Sequence, residues 1–324
     1  MNAEVMTEGN RLWALVPGKR KKLLLSLAFL FVFVLITMWL NSIKPPLIET
    51  VPYERDVKGS AFVNANLLLV DQMMRNWLPN DKFWPTVMLD NMPNFQLGQL
   101  ELVRYNIRGL RDRLSRMRST DKLDPFAEKA FSALANDPKK WWFPSAESKW
   151  KEAHKYLTAY QEGLRSGTSN FFPRADNLAE LFQDISSLLG GANTRLLNST
   201  REKKVVKEIE DISEGSTSQQ TEVELDVPWY KVDDNFYYSQ GIAYALYPTL
   251  LAVKLDFREV LIKKNCMGLL DSILEDLRRC YFEPLIVFNG EIDSIFANHS
   301  LNLASVLADA KQKMDSIVVT LTRG

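Results

Sequence analysis

Two neighbouring carboxylates set among tyrosines are the residues of this sequence that could most directly do chemistry. Asp233 and Asp234 are adjacent, and Tyr237, Tyr238 and Tyr244 follow them. Paired carboxylates can act as acid and base when their surroundings separate their pKa values. Tyrosine hydroxyls beside carboxylates can form a buried hydrogen-bond network or line a polar groove, and we favour the network. Asp233 is equally plausible as the N-cap of a following helix. If the protein has a ligand groove, we expect it here.

A cluster of arginines is the second candidate surface. Arg104, Arg108 and Arg111 lie along one predicted helix, with further arginines close behind them. Such a cluster could attract lipid headgroups, an anionic wall polymer or an acidic partner. The plainer interpretation, which we favour, is a solvated helix face whose arginines pair with nearby carboxylates.

Aromatic residues form the third candidate surface. Trp141, Trp142 and Phe143 are consecutive and follow a polar loop. If they are exposed, they would anchor a binding partner, because large aromatic side chains dominate the energetics of interfaces. If they are buried, they would cap the helical domain. We favour burial, because tryptophan contributes a large apolar area wherever it lies.

The motifs that mark common enzymes and cofactor sites are missing. The 324 residues contain no serine elbow, P-loop, dinucleotide-binding glycine fingerprint or H-E-x-x-H pattern. We therefore predict no catalytic, cofactor-binding or metal-binding residue, and no cofactor. The 40 basic and 40 acidic side chains argue against a nucleic-acid partner. Cys266 and Cys280 are predicted to be core thiols on one helix, about 21 Å apart and too distant for a disulfide unless that helix is interrupted.

The element that decides where all these residues lie is an apolar segment near the start of the chain. Residues 23–43 contain no charged side chain, and as a helix they would be about 31 Å long, which matches the hydrocarbon core of a bilayer. A buried core helix is disfavoured, because uncharged runs of ~18 residues or more are uncommon in soluble proteins. A cleaved signal peptide would have a shorter apolar region of ~7–15 residues and a small-residue cleavage site, which residues 41–46 do not offer. We predict an uncleaved transmembrane helix.

The charges on either side of this helix predict its orientation. Four consecutive basic residues, 19–22, adjoin its N-terminal end, whereas basic residues are sparse just beyond its other end. The positive-inside rule then makes residues 1–22 a cytoplasmic tail. Residues 44–324 are predicted to lie in the periplasm of a bacterium, anchored in the inner membrane.

The rest of the chain has the apolar spacing of helices. Residues 44–60 are predicted to be an extended link, because they contain paired prolines. Residues 61–200 and 233–324 are two helical regions that pack together, and residues 201–232 are an acidic, polar linker or loop. The predicted fold class is all-α, with a single N-terminal transmembrane helix followed by a helical-bundle extracytoplasmic domain.

Local signals predict where several helices begin, end or bend. Asp124 before Pro125 is typical of an N-cap followed by proline at the first helical position. A helix should begin near Ser145. Gly190 and its neighbour Gly191 should end a helix, and Pro248 should kink or break one.

One stretch carries a resemblance to a known family. From Val227 to Tyr238, and on through residues 241–246 and 255–261, the sequence resembles an uncharacterised proteobacterial family, domain of unknown function 2333. The resemblance implies a gammaproteobacterial inner-membrane protein with an N-terminal anchor and a helical extracytoplasmic region. It brings no established activity, substrate or catalytic residue.

The leading functional hypothesis is a non-catalytic interaction or assembly module of the cell envelope. Its partners would be the lipid bilayer and either an envelope protein or a second copy of the chain. The rival hypothesis is a membrane-anchored hydrolase or wall-modifying enzyme that uses the acidic residues around Asp233 and Asp234. A sensor of small ligands is a third and weaker hypothesis, because a 22-residue tail is too short to form an output domain.

Overall fold

The computed structural model describes residues 18–198, 231–284, 287 and 298–323, and within these ranges it is helical and contains no β-strand. The all-α prediction is confirmed. The chain divides into two compact units, Met1–Lys44 with Lys82–Leu89 and Pro45–Asp81 with Asp90–Gly324. Most of the predicted cytoplasmic tail and nearly all of the predicted acidic linker lie outside the described residues.

The first unit contains helix α1, Gly18–Ser42. Its 23 residues Arg20–Ser42 are long and apolar enough to cross a membrane. Large apolar side chains are exposed all around this helix, and Val34 is buried. The core helix of a soluble protein is mostly buried, so α1 lacks the surroundings that such a helix needs.

Polar side chains near the end of α1 bond to the helix itself. Thr37, Asn41 and Ser42 each donate at 2.8 Å to the carbonyl oxygen of the residue four positions earlier. Such bonds satisfy the donor of a polar side chain within the helix itself.

The other piece of the first unit is the segment Lys82–Leu89. It includes a short 3-10 turn, Thr86–Met88, that lies against α1. The large apolar side chains of this segment are exposed, namely Phe83, Trp84, Val87 and Met88.

The second unit is an assembly of helices. These are α2 (Ser60–Arg75), α3 (Asn91–Gly109), α4 (Pro125–Leu134), α5 (Ala146–Ser166), α6 (Ala175–Asn198), α7 (Val232–Asp256), α8 (Arg258–Lys263), α9 (Met267–Cys280) and α10 (His299–Thr322). A π-helical turn, Leu110–Leu114, continues α3. Among the described helices, α4 packs on α5 and α6 packs on α10.

Helix α7 lies at the centre of this unit and packs against α2, α3, α6, α9 and α10. Residues 241–250 are all buried. A helix that is apolar all round has no face for solvent and is buried on every side. Pro248 lies inside α7, which continues to Asp256. Of the predicted kink or break, the break is therefore wrong. Contacts on every side keep this segment helical despite a cost of about 3 kcal/mol for proline in a helix interior.

Two glycines allow α3 and α7 to cross at very short distance. A Cβ atom on Gly98 would lie 1.9 Å from the Tyr238 carbonyl oxygen, and one on Gly241 would lie 1.9 Å from the Phe95 carbonyl oxygen. Both distances are far below van der Waals contact. The backbones therefore touch where neither helix has a side chain, which explains why glycine stands at both positions.

The predicted helix starts are confirmed, and one predicted stop is wrong. Asp124 accepts hydrogen bonds from the first turn of α4, and Ser145 accepts one from the first turn of α5. Helix α6, in contrast, continues through Gly190 and Gly191 to Asn198. Buried apolar residues follow the glycines on the same face, and their burial outweighs a glycine cost of roughly 1 kcal/mol per residue.

The first residues of the second unit are held along its surface. Tyr244 donates to the Pro46 carbonyl oxygen at 2.9 Å, and Tyr281 donates to that of Pro45. Further along, Arg278 pairs with Glu49 at 2.8 Å. The segment after α1 is therefore extended and fixed by side-chain contacts.

The two cysteines lie at opposite ends of α9. Cys266 is its N-cap residue and Cys280 its last residue, and both are buried free thiols. The prediction of core thiols is confirmed.

Candidate functional site

The predicted carboxylate pair lies where the N-termini of two helices meet. Helices α3 and α7 run parallel from this end. Asp90 is the N-cap residue of α3, and Asp233 and Asp234 lie in the first turn of α7. Carboxylate oxygens of these three residues all lie within 4.8 Å of one another. Asn94 donates to Asp234 Oδ1 at 2.6 Å, which joins the two helices directly.

Asp233 does not cap α7. The N-cap position belongs to Lys231, which makes no side-chain capping bond. Helix α7 begins at Val232, so the prediction of an Asp233 N-cap is wrong. Both aspartates instead lie beside the partial positive charge of a helix N-terminus, which stabilises negative side chains there.

The surroundings of Asp234 oppose its charged form. Burial, followed by the charges of Asp233 and Asp90, raises the pKa of Asp234 to about 6, against a smaller opposing effect of Lys231 and Lys139. The pKa of Asp233 is also raised, first by burial and then by Asp90. Oxygen ligands at this spacing are the kind that Mg²⁺ and Ca²⁺ prefer. In the part of the chain that the structure describes, no second feature points to a bound ion.

Tyr244 belongs to a separate hydrogen-bond network. Besides its bond to Pro46, its hydroxyl lies 3.1 Å from Gln72 Oε1, which also accepts from Gln99 Nε2 at 3.1 Å. The ring packs on Phe95 with centroids 5.2 Å apart. Burial raises the pKa of this tyrosine above its usual range. Its hydroxyl thus serves to hold the extended segment, away from the carboxylates.

The other two tyrosines point to different neighbours. Tyr237 packs edge-on against Phe236 at 5.3 Å, and burial followed by the charge of Glu283 raises its pKa. The guanidinium of Arg195 lies 4.5 Å from the ring centre of Tyr238. The structure therefore divides the predicted tyrosine cluster between the acidic end of α7 and the inner surfaces of the bundle.

The predicted arginine surface is used within the second unit. Arg104 donates to the carbonyl oxygens of Leu134 at 2.8 Å and Asn136 at 2.6 Å, at the end of α4. Arg108 lies 4.6 Å above the ring of Tyr105. Arg111 bonds Asp112 at 2.6 Å, and this bond raises its pKa. Such contacts agree with the plainer interpretation of a paired helix face.

The predicted aromatic cap is exposed, which corrects our preference for burial. Trp141, Trp142 and Phe143 are 47%, 63% and 86% exposed. The reason is that the following helix, α5, buries its own tryptophan, Trp150, in the core. This tryptophan packs edge-on against Trp77, which is also buried, with ring centroids 5.3 Å apart.

Sequence reasoning missed the role of Asp90 and of the segment 82–89. Asp90 stands far from Asp233 in the sequence, and only the pairing of α3 with α7 brings them together. The segment 82–89 carried a usable signal, because Phe83 and Trp84 precede a proline just as Trp142 and Phe143 do.

Comparison with known proteins identifies a family. Residues 17–324 match the family described as "Uncharacterized protein conserved in bacteria (DUF2333)". No curated protein and no solved structure matches the chain.

Proposed function

The chain belongs to the bacterial family DUF2333, and on this premise we propose that it is a single-pass inner-membrane protein whose helical domain is an interaction or assembly module of the cell envelope. The N-terminus would be cytoplasmic and the helical domain periplasmic. The observation that carries the proposal is α1, an apolar helix of membrane-spanning length whose side chains are exposed. Exposed apolar surface of that extent is stable only in contact with lipid or with other protein.

The contacts of the residues just after α1 support an anchor that is not cleaved from the protein. Pro45 and Pro46 are bonded by Tyr281 and Tyr244 of the second unit. A signal sequence that is cut off in this region would leave a new chain end beside these bonds. The hydrogen bonds of the mature domain thus use residues immediately after the helix.

The polar contacts of the domain support an interaction role over catalysis. The candidate carboxylates lie at helix N-termini, and the arginines bond to carbonyl oxygens and carboxylates of their own unit. The raised pKa of Asp234 is a feature of the described residues that a hydrolase could use, but by itself it establishes no reaction. We therefore put forward the module alone.

Membrane extraction tests the anchor. The full chain with different tags at its two ends should stay in alkaline-washed vesicles, and both tags should remain on one product. Loss of the N-terminal tag from the mature product would show a cleaved signal sequence and contradict the proposal. Leu30→Arg with Ile36→Arg should prevent retention, because each arginine at a helix centre costs about 3 kcal/mol. Leu30→Ile with Ile36→Leu is the matched control and should be retained.

Reporter fusions and cross-linking test the orientation and the role. A periplasmic reporter at the C-terminus should be active, and the same reporter at the N-terminus should be inactive. Cross-linking in intact cells followed by capture of the tagged chain should yield a reproducible envelope protein or a second copy of the chain. Repeated recovery of neither would contradict the module.

A further inference from the structure

The loop Trp141–Phe143 displays more apolar surface than a soluble helical domain requires. Its side chains are largely exposed, although the rings stack edge-on against each other at 5.1 and 6.1 Å. Single exposed apolar residues are common, but three consecutive large aromatic side chains form a patch of the kind that marks a contact site.

This loop is held in place by the bundle. Trp77 Nε1 donates to the Pro138 carbonyl oxygen at 2.9 Å, and Asn80 Nδ2 donates to the Lys140 carbonyl oxygen at 3.3 Å and to Glu147 at 2.9 Å. These bonds attach the backbone just before the aromatic residues to the residues that follow α2. Supporting contacts of this kind help to hold a binding surface in one position.

The composition of the loop suits the interface of a bilayer. Tryptophan prefers the headgroup level, because its ring is apolar and its N–H is polar. Lys139 and Lys140 immediately precede the aromatic residues. Lysine stems can bury their methylene groups while the ammonium groups reach headgroup phosphates.

A second exposed aromatic–proline segment supplies a further argument for lipid. The turn of this segment, Lys82–Leu89, lies against α1. If α1 spans a membrane, the exposed side chains of Phe83 and Trp84 in that segment would also lie beside lipid. The chain thus carries two exposed aromatic–proline segments, and one of them already contacts the apolar helix.

We propose that Trp141, Trp142 and Phe143 insert into the interface of the same bilayer that α1 spans. The proposal rests on the proposed membrane anchor and adds a second, non-covalent membrane contact. Burial of these aromatic side chains in the headgroup and acyl boundary removes their apolar surface from water, and this supplies the binding free energy.

Depth-dependent quenching tests the proposal in the full chain. A fluorophore is attached to Phe143→Cys, since Cys266 and Cys280 are buried, and the protein is reconstituted into vesicles of phosphatidylethanolamine and phosphatidylglycerol with brominated acyl chains. We expect the emission to fall by about half, because an inserted label would lie ~5–10 Å within the boundary. Ile262→Cys on α8 is the matched control. It is also exposed, it follows the opposite end of α7, and its label should keep its emission.

Two further measurements separate this proposal from that of the anchor. Trp142→Ser with Phe143→Ser should leave the protein in alkaline-washed vesicles, because α1 is unchanged, while a label at Lys140→Cys loses most of its quenching. If this variant were released from the vesicles, α1 alone would not anchor the protein, and this result would contradict the proposed function. Equal quenching at Phe143→Cys and Ile262→Cys, or none at Phe143→Cys, would overturn the lipid contact. A photo-crosslinker at residue 143 that captures a protein in place of lipid would overturn it also.

Discussion

At the scale of single residues, Asp90, Asp233 and Asp234 show how two helix N-termini gather charge. Each aspartate occupies a position where acidic residues are common, because they are favoured in the first turn of a helix. Only the packing of α3 against α7 brings the three carboxylates together. The sequence predicted Asp233 and Asp234 as a candidate site because they are adjacent, but it could not predict Asp90, whose contact depends on the register between α3 and α7.

The raised pKa of Asp234 predicts a pH-dependent stability. Its folded-state pKa of about 6 lies above the value of 3.8 expected without the fold, so the folded state binds more protons. This contribution to stability is fully present below pH 3.8 and is lost as the pH rises through about 6. Asp234→Asn removes the charge and keeps an oxygen that can accept from Asn94. We expect it to stabilise the protein by about 1 kcal/mol at pH 7, after allowance for solvent screening.

Thermal unfolding of the detergent-solubilised full chain checks this prediction. The gain should be present at pH 7.5 and should largely disappear at pH 4.5, where Asp234 of the folded parent is protonated. The exposed Asp56→Asn is the control and should change little at either pH. A loss of stability at pH 7.5 would show that the charged form is the one the fold requires.

At the scale of elements, the closeness of α3 and α7 organises the second unit. The apolar spacing in the sequence predicted that these segments are helices. The spacing also predicted the start of α5. The start of α4 was predicted from Asp124 and Pro125, because capping is a local interaction. The continuation of α6 through Gly190 and of α7 through Pro248 was not predictable locally. In both cases burial against other helices outweighs an unfavourable helix propensity.

The glycine crossing predicts a strong asymmetry among glycine substitutions. Gly98→Ala or Gly241→Ala places a methyl group against the backbone of the facing helix, so each should destabilise the protein by at least about 2 kcal/mol. Gly191→Ala on α6 is the matched control, since its Cβ would meet nothing within 4 Å. It should stabilise the protein by about 0.5–1 kcal/mol. Denaturant unfolding monitored by circular dichroism measures all three, and equal effects would contradict the close approach.

Asp256 links the end of α7 to the start of α2. Its carboxylate accepts from the backbone N–H of Gly59 at 3.0 Å and of Phe62 at 2.7 Å, while burial raises its pKa to about 6. Asp256→Ala removes both acceptors and should destabilise the protein by about 2 kcal/mol. Asp256→Asn keeps one acceptor oxygen, so it should reduce the stability of the protein by less than Asp256→Ala does. Thermal unfolding distinguishes the two, and an alanine variant as stable as the asparagine variant would rule out a capping role.

At the scale of the whole molecule, the extended segment after α1 is the least expected feature. Its prolines predicted an extended conformation. They could not predict its attachment, because the tyrosines that hold it lie far away in the sequence. Tyr244 is 198 residues after Pro46, and Tyr281 is 236 residues after Pro45. The segment is thus part of the folded helical domain, and it also connects that domain to α1 along the chain.

Hydrogen exchange of this segment tests its attachment. Tyr244→Phe with Tyr281→Phe removes the two hydroxyl bonds and keeps the rings, so the amides of residues 47–51 should exchange faster while the core of α7 stays protected. A net loss of about 1 kcal/mol per hydrogen bond is expected. Tyr53→Phe, at an exposed position of the same segment, is the control. Unchanged exchange at residues 47–51 in the double variant would show that the segment is held by other contacts.

The placement of the two cysteines at opposite ends of α9 has a consequence for how the chain matures. In an oxidising compartment an unfolded chain exposes both thiols to disulfide-forming enzymes, and a bridge between them would prevent α9 from forming, since its ends lie about 21 Å apart. Once α9 is packed, burial raises the pKa of Cys280 to about 12 and also raises that of Cys266, so both remain unreactive thiols. Export of this protein would therefore favour a domain that folds faster than it is oxidised.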